Sequence, residues 1–130
     1  MSGDVITEES IKELVDRFYA KVREDAKLGP VFNGAIGEND KDWKPHLERM
    51  YAFWSSVMLT SGRYHGNPMQ KHKDLPHFDE NLFDTWLALF AETAHEIHDA
   101  VIADRYIDRS RRIAESLKLG LYYKPQRMHK

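Results

Sequence analysis

Seven histidines, and a few hydroxyl and indole groups set among apolar residues, carry most of the chemistry this chain can do. His95-Glu96-Ile97-His98 has the composition of a zinc motif, but its histidines stand three apart where the zinc-protease pattern needs four, so that reading fails on spacing. Glu92, His95 and His98 could still share one helix face as metal ligands; a solvated polar face is the expected reading.

His72 differs because Pro68 and Pro76 bound the segment around it and leave room for a helix of one or two turns. A neutral imidazole on so short and rigid an element suits a single axial ligand to a haem iron, with the opposite side open; an exposed loop histidine is the alternative. Tyr19, His46 and Trp86 each fall on the apolar stripe of a different helix, so their polar tips converge if those helices pack around one cavity. Tyrosine and indole donate hydrogen bonds and histidine can do either, which in a dry pocket stabilises oxygen as it takes up negative charge. Three satisfied core residues would show the same spacing.

Composition removes several other chemistries. The 130 residues contain no cysteine, hence no disulfide, thiolate metal site, cysteine nucleophile or thioether-linked haem. A net charge of −2 with acids and bases interspersed gives no basic face for nucleic acid. Lys124, Arg127 and Lys130 could touch an anionic surface, but solvated chain ends commonly look like this. No stretch approaches the roughly 20 apolar residues that a membrane span requires, so no membrane partner is expected. Met1 to Thr7 lacks both the basic start and the apolar run of a secretory leader, which makes the cytoplasm the expected location.

The elements that must position these groups are helical. Ile11, Leu14, Val15, Phe18, Tyr19 and Val22 follow Thr7 at helical spacing. Gly29, Pro30, Gly34 and Gly37 then predict an irregular connection from Ala26 to about Asp42. Pro45 reads as a first-turn residue of a helix whose stripe is His46, Leu47, Met50, Phe53, Trp54, Val57 and Met58, ending near Ser61 and Gly62. Asp79 is the expected cap of a helix with Leu82, Phe83, Trp86, Phe90, Thr93 and Ile97 on one face. Ala100 to about Leu121 forms another, with Ile107, Ile113, Ala114 and Leu117 expected to be buried. No segment alternates with period two, so the class is all-α, one domain over 1–130. A plain bundle rarely needs a long irregular loop, and Phe18, Tyr19, Phe32, Phe53, Trp54, Phe78, Trp86 and Phe90 could line a flat cavity; an ordinary aromatic core is the alternative.

Taken together, Phe18-Tyr19, Val31-Phe32, Pro45-His46, Gln70-Lys71-His72 and Trp86 resemble the truncated haemoglobins, a shortened globin fold of two helices over two, across nearly the whole chain. The chain has only isolated glycines where the first two groups carry paired-glycine motifs, and a histidine at position 46 is similar to the third group's pattern. The resemblance implies haem b, with His72 as proximal iron ligand, Phe32 packed on the haem, and Tyr19, His46 and Trp86 as the distal set. It further implies that Met50 faces the ligand and Trp54 walls the cavity behind it. Arg49 would suit a haem propionate, or be a solvated helix charge.

The function so implied is binding of oxygen, nitric oxide or carbon monoxide by a monomer. Distal donors that hold oxygen tightly favour nitric-oxide or peroxide chemistry over bulk delivery, with His46 as proton shuttle, outward-swinging gate or sixth ligand. Turnover would need a separate reductase, because no flavin or nicotinamide motif is present. A non-catalytic carrier or gas sensor is the alternative, although no output domain is attached. The remaining reading is a non-haem metal bundle built on Glu92, His95 and His98.

Overall fold

The computed structural model describes residues 5–75 and 78–122, and among these the chain forms six helices and no strand. Pro76, His77, His129 and the basic Lys124, Arg127 and Lys130 lie outside the described residues. No described helix is long and apolar enough to cross a membrane.

Helix α1 (Glu8–Glu24) starts at a reciprocal cap: the Thr7 hydroxyl accepts from the Ser10 amide at 3.0 Å, and the Ser10 hydroxyl accepts from the Thr7 amide at 2.9 Å. Glu8 and Glu9 in its first turn and Lys21 and Arg23 in its last complement the helix dipole. Its predicted stripe, Ile11 to Val22, is buried throughout, and each such side chain is worth about 1.5–3 kcal/mol of transfer from water.

The predicted irregular connection is instead largely a helix, α2 (Leu28–Ile36). Three features outweigh its poor composition. The Asp25 carboxylate accepts from the Lys27 and Leu28 amides, each at 2.9 Å, which satisfies donors that a helix start leaves open. Pro30 sits in the first turn, where its missing N–H leaves no bond unmade. Gly29 is buried so closely on α1 that a Cβ would lie 2.7 Å from the Arg23 carbonyl oxygen. Gly37, at φ +128°, then ends the helix.

Helix α3 (Asp40–Leu59) begins before Pro45, which is therefore an interior residue and not a first-turn one. The extra turn is drawn in by Trp43, whose fully buried indole N–H donates to the Gly37 carbonyl at 2.9 Å and to Asn33 Oδ1 at 3.2 Å. Helix α4 (Pro68–Lys73) is capped by Asn67, whose side chain accepts from the Gln70 amide at 3.1 Å. Helix α5 (Leu82–Ile97) has Asn81 at its N-cap; Asp79, the predicted cap, lies two residues earlier and accepts from the Asn81 amide. Helix α6 (Ala100–Leu121) is capped by Asp99, which accepts from the Ile102 amide at 3.0 Å.

Helix α1 packs on α3 and α5, and α5 on α6, so two helix pairs meet through α1 and α5 as the resemblance implies. The buried stripe of α6 is Ile102, Ala103, Tyr106, Ser110, Ala114 and Leu117; Ile107 and Ile113, expected inside, are only half-buried beside it. His98 also departs from its predicted solvated position. It turns inward after α5, buried, with its ring stacked on Tyr106 at 5.3 Å.

Candidate functional site

A cavity of about 310 Å³ is lined by residues of all six helices and of the segment between α3 and α4. That volume falls in the range of ~300–1,000 Å³ usual for small-molecule sites. Tyr19, Phe32, His46, Arg49, Met50, Trp54, His72 and Trp86 all line it. Phe53 and Phe78 line it too, whereas Phe18 and Phe90 belong to the core behind.

His72 has a defined tautomer. Its Nδ1 lies 2.6 Å from the Pro68 carbonyl oxygen, one turn back on α4. A carbonyl only accepts, so Nδ1 is the donor, and in the neutral ring the lone pair falls on Nε2. A backbone bond of this kind fixes ring orientation and raises ligand basicity in metal-binding histidines.

His46 lies on α3 with its ring edge-on to Tyr19 at 5.1 Å and to Trp43 at 5.3 Å. Its Nε2 is buried with no hydrogen-bond partner. Burial, and then the charge of Arg49, push the imidazole down to about 4, so it is neutral near pH 7. Burial raises the Tyr19 hydroxyl far above the usual tyrosine range, and Trp86, acting as a donor toward it, offsets part of that. Tyr19 therefore stays protonated and remains a donor. Trp86 is held parallel to Phe90 at 5.6 Å and edge-on to Phe18 at 5.5 Å, which fixes its indole.

The lining is mainly apolar, holds the exposed cations Arg49 and Lys71, and includes no carboxylate. Such a site suits a flat apolar ligand that carries anionic groups. Lys71 follows from its place beside His72 on α4, and Trp43 from its place one turn before His46, yet sequence reasoning gave neither a site role. Tyr64, in the aperiodic segment before α4, left no such signal.

Glu92, His95 and His98 do not form a metal site. Glu92 accepts from Lys21 at 2.7 Å, His95 is exposed and His98 is buried against Tyr106. Among the described residues no group of three or more candidate ligands could hold a metal ion.

Residues 4–118 match the family described as bacterial-like globins. A relative in Campylobacter jejuni, "Group 3 truncated hemoglobin ctb", is 39% identical over 122 residues, covering 94% of this chain and 96% of that one. The crystal structure of a group III truncated haemoglobin from Campylobacter jejuni superposes with a TM-score of 0.91 at 38% identity, covering 97% of this chain and 100% of the other. The chain belongs to the group III truncated haemoglobins.

Globin membership implies a haem cofactor, and the pocket of this truncated haemoglobin fits one. The unpartnered Nε2 of His46 faces no protein acceptor or donor, His72 has a lone-pair nitrogen of fixed tautomer, and the cationic rim complements two carboxylates. Tyr19, Phe32, Met50 and Trp54 supply the apolar surface a porphyrin would cover.

Proposed function

We propose that this truncated haemoglobin holds haem b through His72 Nε2, with Phe32 packed on the ring and Arg49 and Lys71 beside its propionates. The Nδ1 contact of His72 with the Pro68 carbonyl carries the reading, because it leaves a single oriented donor nitrogen on a cavity-lining residue. Haem bound there supplies an iron that takes oxygen, nitric oxide or carbon monoxide and cycles between oxidation states.

Tyr19 and Trp86 would act as fixed donors toward a gas held on that iron, and Met50 and Trp54 would exclude water from it. His46, neutral and with an unspent Nε2, gives or takes a proton at that atom. Donors of this kind slow the release of oxygen, which suits oxidation of nitric oxide to nitrate or reduction of peroxide better than delivery. A separate reductase returns the electrons, and the chain acts as a cytoplasmic monomer. The direct test is to mix the oxygenated protein with nitric oxide in less than stoichiometric amount. Near-quantitative nitrate with matching conversion to the ferric form supports the oxidation step; oxygen displaced without nitrate assigns the pocket to carriage or sensing.

A further inference from the structure

Residues 60–67 join α3, which carries His46, to α4, which carries His72, and they contribute Tyr64 and Gly66 to the cavity wall. Among the described residues, 61–66 make no backbone–backbone hydrogen bond, and the bonds that hold them run through side chains. The Ser56 hydroxyl accepts from the Tyr64 amide at 2.9 Å. The fully buried Ser55 hydroxyl lies 2.6 Å from that of Ser61 and donates to Glu8 Oε2 at 2.6 Å. The other oxygen of Glu8 pairs with the Arg63 guanidinium. Tyr64 then lies edge-on to Phe53 at 5.2 Å, and a Cβ at residue 66 would meet the Tyr64 hydroxyl at 2.3 Å.

Glu8 thus spends both carboxylate oxygens tying the first turn of α1 to the end of α3 and to the connecting segment, although neither Glu8 nor Arg63 lines the cavity. We propose that Glu8 and Arg63 are positioning residues that latch the Tyr64 wall and so govern how long the pocket keeps its cofactor, an inference that rests on the haem reading above. Both side chains are about half-exposed, at 49% and 48%, so the pair adds little to global stability. Its effect falls on local opening of a segment that makes no backbone–backbone bond among the described residues.

The test is transfer of ferric haem from the loaded protein to an excess of a haem-scavenging apoprotein, alongside denaturant unfolding of the same samples. Glu8→Gln and Arg63→Gln should each speed haem loss about 2- to 5-fold with the unfolding midpoint nearly unchanged, as one exposed ion pair allows. The double variant should be no faster than either single one, and Arg63→Lys should return toward wild type. Arg112→Gln, which removes an exposed pair with Asp108 on α6, serves as the control and should change nothing. Haem loss at the wild-type rate in both single variants, or additive effects in the double variant, would overturn the latch. A wild-type protein that fails to retain haem would overturn the reading of the pocket, and the latch with it.

Discussion

His72 Nδ1 donates to the carbonyl oxygen of Pro68 across 2.6 Å, within one turn of a helix only six residues long. The partner is backbone, so the ring's orientation depends on the helix start that Asn67 caps and Pro68 preorganises. His72→Gly should therefore fail to retain haem, and added imidazole should restore the visible spectrum only at concentrations far above that of the protein. Wild-type retention by His72→Gly without imidazole would remove His72 from the ligand role.

Tyr19→Phe and Trp86→Phe each delete one donor from the cavity lining. Oxygen dissociation followed by stopped flow should quicken by on the order of 10- to 100-fold for either, the worth of a hydrogen bond to a charged acceptor. Unchanged rates in both would make them packing residues.

His46 gives a pH dependence whose sign is fixed. Its ordinary value is 6.5 and burial lowers it to about 4, so between these the unfolded chain binds a proton that the folded chain does not. Stability is then fully present above pH 6.5 and is lost as pH falls toward 4, by at most about 3 kcal/mol. Urea unfolding across this range should show that slope in wild type and a smaller one in His46→Leu. Identical slopes would place the imidazole in water.

Trp43→Phe keeps a ring beside His46 but leaves Asn33 Oδ1 and the Gly37 carbonyl without their donor. Denaturant unfolding should show a loss of about 1–3 kcal/mol. An unchanged midpoint would mean that neither bond contributes.

Two glycines of α2 should respond in opposite directions. Gly34 is exposed, with nothing within 4 Å of a built Cβ, so Gly34→Ala should stabilise by about 0.5–1 kcal/mol. Gly29→Ala drives a Cβ into the Arg23 carbonyl and should destabilise by about 1–3 kcal/mol. If Gly34→Ala left thermal unfolding unmoved, the segment would be the irregular loop its composition suggests.

That segment shows where local reading of the chain stops. Stripes such as Ile11 to Val22, and a cap such as Thr7, declare their helix because the determining contacts lie within a few residues. Helix α2 depends on the Asp25 cap, the Gly29 approach to α1 and the Asn33 bond to Trp43, and local propensity registers none of the tertiary terms. Trp43 in turn draws α3 back past Pro45. His98 misleads for a related reason: the polar run around it reads as solvated, but the chain leaves the helix there and turns the ring onto Tyr106.

The site was legible in another way. Spacing alone put Tyr19, His46 and Trp86 on apolar stripes without distinguishing a pocket from a core, and the family resemblance made that choice. The cavity then gathered those residues with Phe32, Arg49, Met50, Trp54 and His72. The Glu8–Arg63 anchor stayed hidden because it joins residues 55 apart in the chain, and Tyr64 because its segment has no periodicity.

The most direct test of the account is the visible absorption spectrum of the purified protein titrated with haem, recorded ferric, reduced with dithionite, and reduced under carbon monoxide, for wild type and His72→Ala. The account predicts a break at one haem per chain and a sharp Soret shift under carbon monoxide in wild type, with both lost in His72→Ala. A wild-type spectrum no different from free haem, or a His72→Ala spectrum no different from wild type, would contradict it.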